Sequence, residues 1–453
     1  MRRLIRMVAF VCIALAGVGV GAQPPPPAVG RVLLISDIHL DPLADPSIVR
    51  QLIAAPVAQW DSIFQSSQRK SLSTYGSDSN YPLFSSTLRQ AATLGPFDFV
   101  VFTGDALRHD FSQAFVAAGG TPGQFGAYAT RTAIFVVREL QRRLKAPVLA
   151  AIGNNDSGCG DYKIDPESSF LAALSDELAV LKTSPEAKST FRLGGFFSLP
   201  HPTVANQDIV VLNSVFWSTS YSSCTPNIGD PGEAELQWLG WKLYAARLQH
   251  RGITLVMHIP PGMNAYSSSQ GGDCMNAVGF WQDKYATQFS ALMNTYSDVV
   301  RLTFAGHTHM DDFQVSPGVT PSLPLKITPS VSPIFKNNPG ISVLSYSTKT
   351  GAVSDIMTFF IALSSHASAW AKEYQFSAAY GVSAFSAATL STVTAGIRSG
   401  GAARTTFGSN YAVSTASPMN SSNWPYYSCA QTYFTAADYR SCVCGAASVR
   451  ARE

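Results

Sequence analysis

Residues 146–160 read APVLAAIGNNDSGCG, an apolar run that stops at a glycine and two asparagines. Taken alone, Gly153-Asn154-Asn155-Asp156 is turn chemistry, since Asn and Asp side chains hydrogen-bond their own backbone and tolerate left-handed conformations. The run before it is short, built from Val, Leu, Ile and Ala, and bounded by Pro147 and Gly153, which predicts a buried strand. The same unit recurs along the chain. Residues 32–36 lead into Asp37-Ile38-His39, and residues 97–103 into Gly104-Asp105-Ala106-Leu107-Arg108-His109-Asp110. Residues 253–258 end on His258, and residues 301–304 precede Gly306-His307-Thr308-His309. A further apolar run occupies 209–213, and segments 130–144, 168–181, 233–249 and 281–296 carry helical spacing. Strands alternating with helices predict α/β layers in which helices cover sheets.

The totals set the frame. The chain has 453 residues, 46% of them hydrophobic and 13% charged, so it can build a large core and more than one structural unit. Its formal charge of +3 leans on Arg2, Arg3 and Arg6; removing these three from the 32 basic residues leaves as many as the 29 acidic ones. Bulk charge therefore gives no ground for nucleic-acid binding. Those arginines open a basic, then apolar, then small-residue segment that reads as a signal peptide over 1–22, cut after Ala22. Its apolar part is shorter than the roughly 20 residues of a spanning helix, so the mature chain is expected to be secreted or periplasmic, with no transmembrane span. A stiff proline-rich linker follows over 23–30. Once Cys12 leaves with the leader, Cys159, Cys224, Cys274, Cys429, Cys442 and Cys444 remain, an even set that favours disulfides in an exported protein. Connectivity is open, although the Cys429, Cys442, Cys444 cluster suggests a local staple with one cysteine reaching elsewhere. After about residue 356 the texture shifts to Ser, Ala and aromatics, and 376–397 reads as a buried helical packing element rather than a membrane span.

Five of the eight histidines, His39, His109, His258, His307 and His309, stand at strand ends, where an α/β sheet places its ligands. With Asp37, Asp105 and Asn154, four of them complete a set of seven oxygen and imidazole donors. That donor chemistry suits divalent ions of the Zn, Mn or Fe type, with a carboxylate available to bridge two of them.

The order DIH, GDALRHD, GNND, HIPP, GHTH resembles the five-block signature of calcineurin-like metallophosphoesterases. The resemblance implies a four-layer α-β-β-α sandwich over 31–355 and a smaller, mainly helical, cysteine-containing subdomain over 356–453. It implies that Asp37, His39, Asp105 and His309 hold one ion, and that Asp105, Asn154, His258 and His307 hold the other, with zinc the first choice and manganese or iron the alternatives. It also implies a displacement in which two ions roughly 3.5–4 Å apart clamp phosphate oxygens and activate a shared water. Asp110 and Asp156 would orient ligands, whereas Asp161 reads as a solvated loop carboxylate. Within the superfamily, His109-Asp110 after GDxxR, the run from Asp230 to Leu239 and the loop from Thr328 to Gly340 resemble the acid sphingomyelinase-like branch.

Asn155 departs from the family pattern, which has a histidine there near the leaving group. An amide donates a hydrogen bond but delivers no proton near neutral pH. His109 would then supply a proton to a poor leaving group, whereas a phosphate leaving group needs none. The GNND block is similar to that of endopolyphosphatases, which favours nucleotide- or polyphosphate-like substrates. About ten residues separate the expected cleavage site from the first strand, too few for a saposin-like lipid-extracting domain. Sphingomyelin hydrolysis stays an alternative, with Phe216, Trp217, Tyr221 and Trp281 as aromatic candidates for lipid contact, though such residues are more often core. An idle metal-binding module is the alternative of another class, and oligomeric state is open.

Overall fold

A computed structural model of the chain describes residues 28–317, 322–364 and 369–450. The leader at 1–22, most of the 23–30 linker and His366 lie outside the described residues. In chain order the strands are β1 (Val29–Ile35), β2 (Phe99–Phe102), β3 (Val148–Ala150), β4 (Phe197–Pro200), β5 (Gln207–Val211) and β6 (Gly252–Val256). They continue with β7 (Val300–Ala305), β8 (Asp312–Ser316), β9 (Ser322–Ile327), β10 (Gly340–Ser347), β11 (Val353–Ile361) and β12 (Trp370–Gln375). They form two six-stranded sheets, ordered β12-β11-β10-β1-β2-β3 and β4-β5-β6-β7-β9-β8.

All six strands expected from apolar runs occur, and they are the parallel hearts of the sheets: β1-β2-β3 in one and β5-β6-β7 in the other. Parallel strands are covered on both faces and so read as continuous apolar runs. The six strands that sequence reading passed over are β4, β8, β9, β10, β11 and β12, which make all the antiparallel pairings. In β4 and β11 burial alternates along the strand, while β8 and β10 are largely buried yet carry polar residues that break the apolar pattern; β12, WAKEYQ, has no apolar run at all.

Helices Tyr81–Leu94 and Pro122–Leu144 pack on the first sheet. Helices Pro231–Leu248 and Asp283–Thr295 pack on the second, and apolar residues of both sheets share one buried cluster. The layers are therefore helix, sheet, sheet, helix. Helix Pro122–Leu144 begins two turns before the expected residue 130, started by a capping box between Thr121 and Gln124 and by Pro122.

The boundary expected at residue 355 falls inside β11, which with β12 completes the first sheet. The helical part thus begins at Phe376, and its helix Ala387–Ser399 lies against β8 and β9. The 376–397 segment is split into two helices at Gly381, and no helix of the described residues is long and apolar enough to cross a membrane. Disulfides join Cys159 to Cys224, Cys274 to Cys444 and Cys429 to Cys442. The last is the local staple; Cys444 reaches back 170 residues to the segment after β6. Phe216, Trp217 and Trp281 are buried in the core, so these three offer no lipid-facing surface, and Tyr221 is half-buried with its hydroxyl donating to the Ile164 carbonyl.

Candidate metal centre

The parallel strands of both sheets end at one place. Asp37 and His39 follow β1, Asp105 follows β2, Asn154 follows β3, His258 follows β6, and His307 and His309 follow β7. His39 Nε2 lies 3.1 Å from His309 Nε2, 3.4 Å from Asp105 Oδ2 and 3.7 Å from Asp37 Oδ1. His309 Nε2 is 3.4 Å from the same Asp37 oxygen. Beside this group, Asn154 Oδ1 is 3.0 Å from His258 Nε2 and 2.9 Å from His307 Nδ1. Asp105 Oδ2 is also 3.2 Å from His258 Nε2, so one carboxylate oxygen faces both groups.

The polarity of these atoms is decisive. His39 Nδ1 is 2.8 Å from the Leu107 carbonyl and His258 Nδ1 is 2.8 Å from that of Thr103. Each Nδ1 must therefore carry the proton and donate, which turns a lone pair on Nε2 inward. Inside, those lone pairs meet carboxylate and amide oxygens, all acceptors. Positive charge between them relieves the conflict, and the donor set of imidazole, carboxylate and amide oxygen fits a divalent cation. Without a cation, the same demand for positive charge falls on the imidazoles themselves. Burial opposes charge on His39, yet Asp105 and Asp37 push its pKa up to about 10. Burial likewise opposes charge on His258, and Asp105 with Asp37 raises it to about 9. Burial and neighbouring imidazoles hold His307 and His309 near 3, ready to act as neutral ligands.

The backbone here is under strain. Asp37, His39, Asp105, His307 and His309 all have left-handed φ values, from 43° to 72°. Such conformations are sparsely populated by non-glycine residues and persist where surrounding structure holds them. Two glycines make the close approach possible: a Cβ on Gly153 would lie 2.1 Å from Asp105 Oδ1, and one on Gly306 2.1 Å from Ser36 Oγ.

The family model for calcineurin-like phosphoesterases matches residues 30–311. The chain belongs to this family. Among curated proteins, the acid sphingomyelinase-like phosphodiesterase 3b of Homo sapiens is 28% identical over 425 residues, covering 86% of this chain and 83% of that protein. The cyclic GMP-AMP phosphodiesterase of Homo sapiens is 25% identical, covering 80% of this chain and 78% of its own. A sphingomyelinase phosphodiesterase D of Dictyostelium discoideum is 25% identical over 68% of this chain and 67% of its length.

In this calcineurin-like phosphoesterase the expected ligand positions converge, and further residues hold them. Asp156 accepts the backbone amides of Gly153, Asp105, Ala106 and, at 3.3 Å, Leu107, tying the loops after β2 and β3 together. Burial and the Asp105 charge raise its pKa to about 6. Asp110, expected to orient ligands as well, is instead exposed at the start of helix Phe111–Ala117, with a left-handed backbone and no capping bond. Asp161, expected to be merely solvated, accepts 2.7 Å from Asn154 Nδ2, which fixes the amide with its oxygen turned toward His258 and His307.

Asn155 differs from expectation too. Its backbone amide and its Nδ2 donate to Asp105 at 2.8 and 3.0 Å, so the side chain holds the shared carboxylate. His109 stacks on His39 with ring centroids 4.0 Å apart, and with His39 and His309 it forms a group whose ring nitrogens could share an ion. Its Nδ1 is 3.0 Å from Asp78 Oδ1, and its backbone amide donates to Asp78 Oδ2. Asp78 was not marked by sequence reading, because it lies in the SDSN stretch before helix Tyr81–Leu94 and not at a strand end. Burial would raise the Asp78 pKa, but the bond from His109 and the nearby imidazoles hold it at about 2. Ser332 Oγ, in the 328–340 loop, also donates to Asp78 Oδ1 at 3.0 Å.

Proposed function

We propose that this chain is an extracytoplasmic two-metal phosphoesterase that hydrolyses phosphodiester or phosphoanhydride bonds in nucleotide- or polyphosphate-like substrates. One observation carries the reading: two adjoining clusters of inward-facing acceptors share a single carboxylate oxygen, that of Asp105. Asp37, His39, Asp105 and His309 are the proposed holders of one ion, and Asp105, Asn154, His258 and His307 of the other, with zinc the first choice. Divalent ions bound there supply positive charge to phosphate oxygens and lower the pKa of an attacking water.

The chain's own residues do the rest. Asp156 and Asn155 keep Asp105 fixed, and Asp161 keeps Asn154 turned inward. Asp78 fixes His109 through Nδ1, leaving Nε2 as the nitrogen available to hold or give up a proton beside a leaving oxygen. His109, with its side chain 24% accessible, and the half-buried His307 are the imidazoles that reach the open side; His109 is the one of the two not assigned to an ion, so it is the group left to meet the leaving oxygen. With Asn155 engaged on Asp105, no second proton donor stands at the family's usual position, which supports substrates whose leaving group is a phosphate. The burial of Phe216, Trp217 and Trp281 weighs against the sphingomyelin alternative. The names of the phosphodiesterase relatives support phosphodiester chemistry. Export rests on the leader and on three disulfides, which persist in oxidising compartments. The proposed catalytic unit runs from residue 31 through β12, with the helical part after it.

The test is metal analysis of purified full-length protein together with turnover of bis-p-nitrophenyl phosphate, ATP and tripolyphosphate. Two ions per chain and hydrolysis of at least one substrate are expected. Metal-loaded protein that turns over none of them is an idle metal-binding module.

A further inference from the structure

We propose that Phe335 is the platform on which a nucleobase of the substrate stacks while its phosphate lies at the metal centre, making nucleoside polyphosphates the preferred substrate class. This rests on the phosphoesterase reading and narrows it. A lone exposed apolar side chain is ordinary on a protein surface. Phe335 is not ordinary in its place. It is 54% exposed, yet its ring centroid is 4.6 Å from that of His309 and 5.8 Å from that of His109. It thus stands at the mouth of the site, beside a proposed ligand and beside the imidazole that meets substrate.

The turn that carries it is held from several sides. Lys336 N donates to Pro333 O at 3.0 Å, with Lys336 in a left-handed conformation (φ 69°). Gly76 N donates to the same carbonyl. Ser332 N donates to Asp37 O at 3.0 Å, which couples the turn directly to the metal loop. Asn337, fully buried, donates to Ser330 Oγ and to two backbone carbonyls. Asn338 donates to Val413 O and accepts from Tyr75 at 2.6 Å. A turn anchored this way keeps the ring's open surface presented, at little ordering cost on binding.

The chemistry of the neighbourhood favours a base over an acyl chain. An acyl chain needs continuous apolar surface, but the exposed side chain next to Phe335 is Lys336, a cation suited to a phosphate. A fixed aromatic ring with open surface is what a base stacks on, and the contact is sequence-tolerant because every base has a π-face.

The experiment uses metal-loaded full-length protein, wild type and Phe335→Ala, Phe335→Leu and Phe335→Tyr, with metal content and thermal melts checked for each. ATP and tripolyphosphate are compared because both are phosphoanhydrides and only ATP has a base. In Phe335→Ala and Phe335→Leu, the ratio of kcat/KM for ATP to that for tripolyphosphate falls about tenfold, through KM. Phe335→Tyr keeps the wild-type ratio. A non-hydrolysable ATP analogue binds the Ala variant about tenfold more weakly. An unchanged ratio in the Ala variant, or full retention by Leu, overturns stacking. Wild-type protein that hydrolyses nothing defeats the phosphoesterase reading instead, and the analogue's affinity for wild type and Ala variant then still decides whether Phe335 stacks a base.

Discussion

The two halves of the centre are built by different means. In the half formed by Asp37, His39, Asp105 and His309, every residue has a left-handed backbone and is at least 98% buried. In the other half, Asn154 and His258 have ordinary backbone, and only His307 is left-handed besides the shared Asp105. Side-chain bonds do the positioning there: Asp161 to the Asn154 amide, and Tyr162 Oη at 3.4 Å from His307 Nε2. The first half is thus set by the fold itself, whereas the second is set by a few polar contacts near the surface. Strain stored in a packed core resists single changes, while a ligand oriented by one hydrogen bond depends on that bond.

Asp105 belongs to both halves, so Asp105→Asn should erase the difference between them. The loss of kcat/KM should exceed the roughly 10- to 100-fold cost of removing a group that only orients a ligand. Metal analysis should find both ions depleted, with the fold retained by circular dichroism; a variant that keeps one tightly bound ion would break the sharing argument. His109→Gln comes next. On an ester with a poor leaving group it should cost about 10²- to 10⁴-fold in kcat, the usual range for a lost proton donor. On ATP, whose leaving group is a phosphate, the cost should be much smaller, and metal content should stay as in wild type. Asp78→Asn should move in the same direction by less. Equal losses on both substrates would place His109 among the ligands of the first half instead.

The proposed ligand positions and the parallel strands are legible in the sequence because they follow one rule. A strand buried on both faces is a short apolar run, and its C-terminal loop carries the polar residues that end it. Asp37, Asp105, Asn154, His258 and His307 stand out against such runs. Asp78 was hidden because it reaches the site from a loop before a helix, joined to His109 across 31 residues. The partner of Asn155 was hidden for another reason. An Asn in a turn after a strand can face either side of the loop, and the choice is made by the Asp105 carboxylate across the sheet. The antiparallel strands β10 to β12 were missed because their pattern mixes Ser, Lys and Glu with apolar residues. So the boundary between sheet and helices was read 20 residues early, at 355 and not 375.

A smaller effect separates the two halves directly. Asp161→Ala removes the acceptor that fixes the Asn154 amide, so the amide is free to turn its nitrogen inward. Calorimetric titration of metal-free protein should then show about tenfold weaker binding in one step and the wild-type affinity in the other. Equal weakening of both steps would mean that the halves are not independently built.

The smallest expected effect tests the support behind the second half. Glu235, fully buried in helix Pro231–Leu248, accepts Asn213 N at 2.6 Å, and the adjacent Ser214 Oγ accepts from Ile259 N, next to His258. Burial pushes the Glu235 pKa up to about 8, against 4.5 for an ordinary glutamate, with the Asn213 amide only partly opposing it. A raised carboxyl pKa means that the folded state keeps a proton which the unfolded state releases. Stability therefore falls as pH rises from about 4.5 to about 8, at most by about 1.4 kcal/mol per pH unit. Glu235→Gln keeps the acceptor for Asn213 N and removes the titration. Its melting temperature should gain on wild type between pH 5 and pH 8, with turnover at pH 5 little altered because the His258 loop is still tied. Parallel melting curves for the two proteins across that range would show that Glu235 ionises freely in the fold, and the support for His258 would then have to come from Ser214 alone.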